Sequence, residues 1–269
     1  MRGDHTARSN NSGYLGTIPL VAHRGYAARY PENTRESLAA AVAVGARFLE
    51  FDIQLSADGV PVLLHDATLD RTAGRTGSVF DLSAADLNLV EVNETDRLNG
   101  TFQGVCIPQL QQVAADLARW PGVSAFVEIK EESLNHFGTV FMVERVLKAL
   151  GKALDSCVII SFSAAAVLEA RQHCGCAIGW AVRNWSEESR RIASRIEPEY
   201  LFCNHLKFPA PPEPLWQGPW RWVAYEVAQP GLAFSLAQRG VHMIETMAIA
   251  EMMGQQAKIA GLDPINGHA

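Results

Sequence analysis

The chain has 269 residues, of which 48% are hydrophobic and 19% charged, as in globular proteins with a substantial core. The formal net charge is −6 and lysine and arginine form no cluster, which argues against nucleic acid or an anionic membrane surface as the main partner. The densest apolar stretch, residues 38–46, is too short and too rich in alanine to insert stably into a bilayer. Composition leaves the oligomeric state open.

The ends of the chain and its cysteines bear on its compartment. Residues 1–17 contain no apolar segment like that of a signal peptide, and we expect them to form a flexible tail. The five cysteines are scattered and odd in number, which is typical of free thiols in a reducing environment. Both features predict a cytoplasmic protein.

From residue 18 onward, apolar strand candidates alternate with helical patterns. The strand candidates lie at 18–23, 47–55, 124–130, 157–162, 177–182, 200–205, 221–227 and 241–246. One helical pattern follows a capping pair, Asn33 and Glu36, and the others lie at 139–150, 163–172, 186–196, 230–239 and 246–259. Such alternation favours a parallel sheet, and about eight repeats in this length predict a (β/α)₈ TIM barrel over residues 18–269.

Two segments interrupt the alternation. Residues 66–108 are largely polar without a clear period, and we expect a small insertion after the second strand. Residues 208–220 contain five prolines, so they should form a stiff loop after the sixth strand instead of a helix. In a TIM barrel, such a loop would lie over the face where reactions occur.

Charged residues recur on one face of two predicted strands. Because side chains alternate along a strand and the outer face of a barrel must be apolar, Glu50, Asp52, Glu128 and Lys130 should point into the lumen. Burying each carboxylate unpaired would cost several kcal/mol. The compensation is either a salt-bridge network with Arg24 and Lys130 or a hard divalent cation such as Mg²⁺ or Ca²⁺, and spacing alone does not decide between them.

Two histidines favour the cation. His23 closes the first strand, and His65 ends an apolar run shortly after the strand that carries the carboxylates. Both histidines can therefore reach the same rim of the barrel. Beside three carboxylates, an arginine and a lysine, they indicate acid/base partners around a metal-bound phosphate.

A series of short motifs follows in order between about residues 20 and 165. The motifs are His23-Arg24-Gly25, Pro31-Glu32-Asn33-Thr34, Gly45-Ala46, Glu50-x-Asp52-x-Gln54, Asp58-Gly59, His65-Asp66-x-x-Leu69-x-Arg71-Thr72, Ile107-Pro108 and Glu128-Ile129-Lys130. In type and spacing, this series resembles the glycerophosphodiester phosphodiesterase family.

The resemblance implies a TIM barrel with an insertion after the second strand and hydrolysis of glycerophosphodiesters to sn-glycerol 3-phosphate and an alcohol. The roles it implies are a single divalent cation, Mg²⁺ or Ca²⁺, bound by Glu50, Asp52 and Glu128, general acid and base catalysis by His23 and His65, and phosphate binding by Arg24 and Lys130. One histidine would deprotonate the neighbouring glycerol hydroxyl for attack on phosphorus while the other protonates the departing alcohol. Attack by a metal-bound water is the alternative.

The second half of the barrel departs from the family pattern. Ala224 and Val227 stand where the family often has tryptophan and asparagine on the seventh strand, and Met247 stands where an aspartate is common. Glu226, Glu245 and His242 are candidates for substitute polar contacts there, but we expect each of them to be structural. We also expect possible pocket residues at Glu32, Phe162 and Trp216.

These departures leave the substrate open. A sugar phosphodiester, or a lysophospholipid or sphingomyelin, would use the same histidines and carboxylates. A barrel that binds a phosphodiester without turning it over is the alternative outside enzymes, although a pure binding protein needs no pair of proton-transfer groups.

Overall fold

The structure is a computed structural model that describes residues 18–100 and 102–259. The tail expected at residues 1–17 and the last ten residues of the expected domain lie outside the described residues. The strands are β1 Leu20–Ala22, β2 Phe48–Leu55, β3 Pro61–Leu63, β4 Ser124–Ile129, β5 Cys157–Ser161, β6 Ile178–Val182, β7 Tyr200–Asn204, β8 Arg221–Tyr225 and β9 Met243–Thr246.

Eleven α-helices are described in the same residues. They are α1 Arg35–Ala43, α2 Asp70–Ala73, α3 Ala84–Leu87, α4 Thr95–Leu98, α5 Leu110–Leu117, α6 Glu131–Phe137, α7 Thr139–Leu150, α8 Ala164–Cys174, α9 Glu187–Ile196, α10 Pro230–Gln238 and α11 Ile249–Ile259. Short 3₁₀ turns lie at Val79–Asp81, Gly151–Ser156 and His205–Lys207. Among these helices, none is long and apolar enough to cross a membrane.

The strands close into a parallel barrel. Their order is β1-β9-β8-β7-β6-β5-β4-β2, and β1 pairs with β2 to complete the ring. All of these pairings are parallel, whereas β3 runs antiparallel to β2 outside the ring. The predicted TIM barrel is therefore confirmed, and every predicted strand is present with its ends shifted by at most two residues.

Outside residues 66–108, two helices were not predicted. Helix α5 has apolar residues at helical spacing, with Leu110, Val113, Ala114 and Leu117 on its buried side. Its pattern was overlooked because it directly follows the irregular stretch before it. Helix α6 is only seven residues long and begins directly after Lys130, where the loop between β4 and α7 was expected.

The barrel separates two apolar layers. The outward residues of β2, which include Leu49, Phe51 and Ile53, belong to the main core with the surrounding helices. A separate cluster fills the lumen, where Phe126 packs edge to face against Tyr200 and Phe202 at centroid distances of 5.0 and 5.1 Å. This plug fills the lumen below the carboxyl ends of the strands, so the polar residues collect at that mouth.

Two segments were predicted to interrupt the alternation of strands and helices. Residues 66–108 contain α2, α3 and α4 and bury a small apolar cluster of their own around Leu69, Val79 and Leu87. Residues 208–220 contain neither helix nor strand and follow β7, the sixth strand of the ring. The division into one barrel domain with an insertion over 66–108 stays a prediction.

The loop between β1 and α1 is held in a compact shape by backbone geometry. Arg24 and Asn33 have positive φ angles of 55° and 56°, and Gly25 has 81°. A Cβ atom at Gly25 would lie only 2.6 Å from the Ser37 carbonyl carbon and 2.8 Å from the Leu38 nitrogen. Only glycine therefore lets this loop lie against the first turn of α1.

We expect Gly25→Ala to lower the free energy of unfolding by about 1–2 kcal/mol for the left-handed backbone. The collision with Ser37 and Leu38 should cost a further ~1–3 kcal/mol. Gly74→Ala is the matched control, since Gly74 has φ 61° and no heavy atom within 4 Å of its added Cβ. Chemical denaturation measures both losses, and equal losses would show that the close approach at Gly25 has no energetic consequence.

Candidate functional site

A cavity of about 220 Å³ opens at the carboxyl ends of the barrel strands. One side is lined by charged residues from the first half of the chain and from β9, namely His23, Arg24, His65, Glu128, Lys130 and Glu245. The other side is lined mainly by aromatic and polar residues, which include Phe162, Phe202, Asn204, Lys207, Tyr225 and Glu226. We call the first side the charged half of the cavity and the second, which carries the rings of Phe162, Phe202 and Tyr225, the aromatic half.

The three carboxylates predicted to face the lumen meet in the charged half. Asp52 on β2 is the register partner of Glu128 on β4, and Glu50 precedes Asp52 on the same face. Ligand oxygens from the three side chains lie within 4.8 Å of one another. Glu50 and Asp52 are each only 1% exposed.

Two cations compensate part of this charge. Lys130 Nζ lies 2.8 Å from Glu128 Oε1 and 3.3 Å from Asp52 Oδ1. Arg24 Nε lies 3.1 Å from Asp52 Oδ2, and its Nη1 lies 2.9 Å from Glu32 Oε1. The salt-bridge network considered in the sequence analysis is therefore present, and it centres on Asp52.

The three carboxylates differ in how well their charge is compensated. Burial alone would raise the pKa of Asp52, but Lys130 and Arg24 bring it below its ordinary value. Burial raises the pKa of Glu50 well above its ordinary value, with further contributions from Asp52 and Glu245. Burial also raises the pKa of Glu128 despite Lys130. Negative charge at Glu50 and Glu128 therefore lacks a sufficient partner among the described residues.

The donor set fits a hard divalent cation. Glu50 Oε1 is buried and has no hydrogen-bond partner among the described residues. Carboxylate oxygens are the ligands that Mg²⁺ and Ca²⁺ prefer. A cation between Glu50, Asp52 and Glu128 would satisfy this oxygen and the charge that the salt bridges leave uncompensated.

His23 lies deep in the same half. The residue is 7% exposed, and its Nε2 lies 3.4 Å from Glu245 Oε1 and 3.8 Å from Glu50 Oε2. Burial and, to a smaller extent, the neighbouring Arg24 lower the pKa of His23 to about 3. The imidazole is therefore neutral at physiological pH and can accept a proton.

His65 approaches the cavity from the segment that follows β3. Its Nδ1 lies 2.5 Å from Asp66 Oδ1, and Arg71 Nε donates a 2.6 Å hydrogen bond to Asp66 Oδ2. The side chain of His65 is 32% exposed, so it is far more accessible than His23. Both predicted histidines thus line one cavity, one deep and one near the opening.

Glu32, predicted as a possible pocket residue, is a buried ion-pair partner beside the opening. It accepts two hydrogen bonds from Arg71, of 2.9 and 2.7 Å, and one of 2.9 Å from Arg24. Because Arg71 also holds Asp66, a continuous chain of charged contacts runs from Arg24 to His65. Glu32 lines a wider opening that adjoins the cavity.

The other two possible pocket residues differ. Phe162 lines the cavity, with the Arg183 guanidinium 4.7 Å from its ring centre. Trp216 instead stacks on Trp185 at a centroid distance of 4.0 Å. Its backbone carbonyl oxygen accepts a hydrogen bond from the indole nitrogen of Trp222. The structure does not bring Trp216 to the cavity, because the proline-rich loop folds it onto the outer aromatic layer.

Several residues of the site were missed or undervalued. Glu245, Tyr225 and Glu226 line the cavity. His242 directly precedes β9 and does not line the cavity; its Nδ1 accepts a 3.0 Å hydrogen bond from the backbone nitrogen of Trp222. Strand alternation carried the signal for Glu245, since it shares a face with Met243 in the lumen.

The positions compared with the family were partly wrong. Ala224 and Val227 belong to the outer core and do not face the cavity, while Tyr225 does. Met247 lines the wider opening and is 37% exposed. Asn33, expected only at a helix start, donates a 2.9 Å hydrogen bond to Asp52 Oδ2.

Fold and site together define a TIM-barrel protein with histidines and carboxylates around one cavity. The family model described as "Glycerophosphoryl diester phosphodiesterase family" matches residues 23–173. The chain therefore belongs to the glycerophosphoryl diester phosphodiesterase family.

Curated relatives agree in sequence with part of the chain. Glycerophosphodiester phosphodiesterase 1 from Homo sapiens is 30% identical over 155 residues, which are 58% of this chain and 46% of that protein. The Bos taurus protein of the same name is 28% identical over the same shares. The chain thus spans about half the length of the curated relatives it matches.

Solved structures match over nearly the whole barrel. A phosphodiesterase from Oleispira antarctica, in complex with the product sn-glycerol-3-phosphate, superimposes with a TM-score of 0.75 at 21% identity and covers 88% of this chain and 96% of its own. A glycerophosphodiester phosphodiesterase from Parabacteroides distasonis gives a TM-score of 0.71 at 20% identity, over 91% and 100%. These matches establish the fold.

We expect Glu245→Gln to raise the melting temperature of the metal-free protein at pH 8 and to change it little at pH 4. Burial, then Glu128 and Asp52, raise the pKa of Glu245 well above its value of 4.5 in an unfolded chain. The folded state binds this proton more tightly, so its stability falls as the pH rises above 4.5. Removing the charge should raise the melting temperature by about 2–4 °C for each kcal/mol regained.

Glu226→Gln is the control for that measurement, because Glu226 lines the same cavity but is exposed to solvent. We expect no shift for this variant at either pH. A Glu245→Gln protein that is no more stable than the wild type at pH 8 would contradict the raised pKa of Glu245 in the folded protein.

Proposed function

We propose that this protein hydrolyses glycerophosphodiesters to sn-glycerol 3-phosphate and an alcohol. The main supporting observation is that His23, His65, Arg24, Lys130 and Glu128 line a single cavity, and that Glu50 and Asp52 lie next to Glu128. Membership of the family supports the reaction, as does the product that the Oleispira antarctica enzyme contains. The remaining roles follow from how each group is held.

Glu50, Asp52 and Glu128 would hold the divalent cation, Mg²⁺ or Ca²⁺. When bound there, such a cation offsets the negative charge that builds up on the phosphoryl oxygens. The role of these side chains is to place that positive charge beside the histidines, on two rigid strands.

Arg24 and Lys130 would bind the phosphate oxygens of the substrate. Both are buried at the cavity wall and are fixed by ion pairs with Asp52, so they are oriented before the substrate arrives. The pKa of each is raised by nearby carboxylates, although burial alone would lower it. Both therefore stay charged at any physiological pH, as stabilisation of a phosphodiester transition state requires.

The two histidines would move protons in opposite directions. His23 lines the cavity and is neutral, so a ring nitrogen there would take the proton from the glycerol hydroxyl next to the phosphorylated carbon. The hydroxyl oxygen then bonds to phosphorus, and the bond from phosphorus to the other alcohol breaks. His65 protonates the departing alcohol, and Asp66 at its Nδ1 holds the ring in position for that transfer. Water then opens the cyclic phosphate.

The aromatic half of the cavity would receive the departing alcohol. Phe162, Phe202 and Tyr225 form its walls, and Asn204 and Glu226 lie at its rim. These residues come from β5, β7 and β8 or directly follow them. We also propose the cytoplasm as the compartment, since all five cysteines are free thiols.

The reaction is tested by release of sn-glycerol 3-phosphate from glycerophosphocholine, glycerophosphoethanolamine and glycerophosphoglycerol. We expect release with Mg²⁺ or Ca²⁺ and none after EDTA treatment, because the carboxylate cluster needs a cation to offset its charge. Activity that persists in EDTA would contradict the cation's role. Absence of release from all three substrates would favour a sugar phosphodiester or a lysolipid, and inactivity there as well would favour a binding protein.

We expect His23→Ala and His65→Ala each to lower kcat by roughly 10²–10⁴-fold, since each removes one proton-transfer group. His173→Ala is the control, because His173 lies on the outer helix α8 and pairs only with Glu144 and Glu169 among the described residues. It should keep wild-type kcat in the same assay. Near-normal turnover in either cavity variant would eliminate the two-histidine mechanism.

A further inference from the structure

A second group of ligand atoms adjoins the predicted cation site. His23, Glu50 and Glu245 each offer one such atom, and these atoms lie within 4.8 Å of one another. Glu50 belongs to both groups, whereas His23 and Glu245 belong only to the second. The family resemblance gave Glu245 no role, and the reaction proposed above does not use it.

The distances within this second group are too long for hydrogen bonds. His23 Nε2 lies 3.4 Å from Glu245 Oε1 and 3.8 Å from Glu50 Oε2, whereas N–H···O hydrogen bonds span about 2.7–3.2 Å. Two atoms bound to one ion at about 2.0–2.1 Å lie about 3.4 Å apart in tetrahedral geometry. The observed spacing is therefore close to that of ligands around a common ion.

Both carboxylates also have an oxygen without a partner. Glu50 Oε1 and Glu245 Oε2 are buried and accept no hydrogen bond among the described residues. The two residues are 1% and 4% exposed, so water cannot hydrate them freely. Leaving such an oxygen unsatisfied costs about 1–3 kcal/mol or more, and a bound cation would remove that cost.

The ligand types differ between the two groups. Glu50, Asp52 and Glu128 supply oxygen only, which suits Mg²⁺ or Ca²⁺. His23, Glu50 and Glu245 supply one imidazole nitrogen and two carboxylates, which suit Zn²⁺ or Co²⁺. From this geometry we propose a second divalent-cation site at His23, Glu50 and Glu245, selective for a transition-metal ion and bridged to the first site by Glu50.

Filling this site has a consequence that rests on the proposed function. An ion bound to His23 Nε2 occupies the lone pair that would accept the proton from the glycerol hydroxyl. Zn²⁺ should therefore inhibit the Mg²⁺-supported reaction, although it leaves Arg24, Lys130 and His65 untouched. The site would make turnover sensitive to the ratio of transition-metal to alkaline-earth cations.

The binding test uses Co²⁺ and the whole protein after metal removal. We expect the wild type to bind two equivalents of Co²⁺ in isothermal titration calorimetry. In a parallel spectroscopic titration, the ion bound to the His23 nitrogen should give a visible absorption band. Glu245→Gln should lose one equivalent, or bind it at least about 100-fold more weakly, since even residues beyond the ligand shell alter metal affinity by about 10–100-fold. Glu226→Gln is the matched control and should retain both equivalents.

The outcomes separate this proposal from the proposed function, because Co²⁺ binding needs no turnover. A single Co²⁺ equivalent in the wild type, which requires no variant, would overturn the second site. Two equivalents retained by a folded Glu245→Gln protein would overturn it as well. An inactive protein with two equivalents, one of them lost in Glu245→Gln, would instead refute the proposed reaction and support the site. With active enzyme, two bound equivalents without inhibition by Zn²⁺ would refute the regulatory role.

Discussion

The arrangement of this barrel's mouth depends on the cost of burying carboxylates. Asp52 shows how that cost is met, because Asn33, Lys130 and Arg24 all contact its side chain. These partners come from the loop after β1 and from the end of β4, so the charge of one residue fixes two neighbouring segments. Breaking a buried ion pair by removing one partner costs about 3–5 kcal/mol, which makes this centre a structural constraint as well as a chemical one.

Compensation at Asp52 is only part of the arrangement. Glu50, Glu128 and Glu245 remain buried with raised pKa values, because the two cations cannot neutralise four carboxylates. A protein without a use for this charge would be more stable with neutral residues there. The uncompensated negative charge of these carboxylates would favour the binding of divalent cations.

The region between β3 and α5 completes the site through a second set of ion pairs. Arg71 holds Glu32 and Asp66 together, and through them it joins Arg24 to His65. Arg97 pairs with Glu94 and donates to the backbone oxygen of Tyr30, which ties this region to the loop after β1. The positions of Arg24 and His65 are therefore linked, although 41 residues of sequence separate them.

Much of this structure follows from the sequence because strands constrain side chains strictly. Alternation along β2 and β4 correctly placed Glu50, Asp52 and Glu128 in the lumen, since any other orientation would expose their apolar neighbours. The same rule applied to β9 predicts that Glu245 also faces the lumen. Glu245 was expected to be structural because the family pattern assigns it no role.

Contacts between distant segments were beyond the reach of sequence. The pairing of Arg71 with Glu32 and the position of Asn33 against Asp52 depend on how two loops meet, and no local period records that. Trp216 illustrates the opposite error, because a residue in a loop above the barrel was expected at the cavity. Its loop instead packs the ring on Trp185, where aromatic burial outweighs proximity to the opening.

The most direct measurement is a crystal structure of the protein soaked with Mn²⁺ alone and recorded at an X-ray energy where manganese scatters anomalously. An anomalous peak bounded by oxygens of Glu50, Asp52 and Glu128 is the expected result, with Arg24 and Lys130 still facing the cavity. A well-ordered cluster without such a peak at millimolar Mn²⁺, or with manganese bound only elsewhere, would show that the salt bridges alone satisfy these carboxylates.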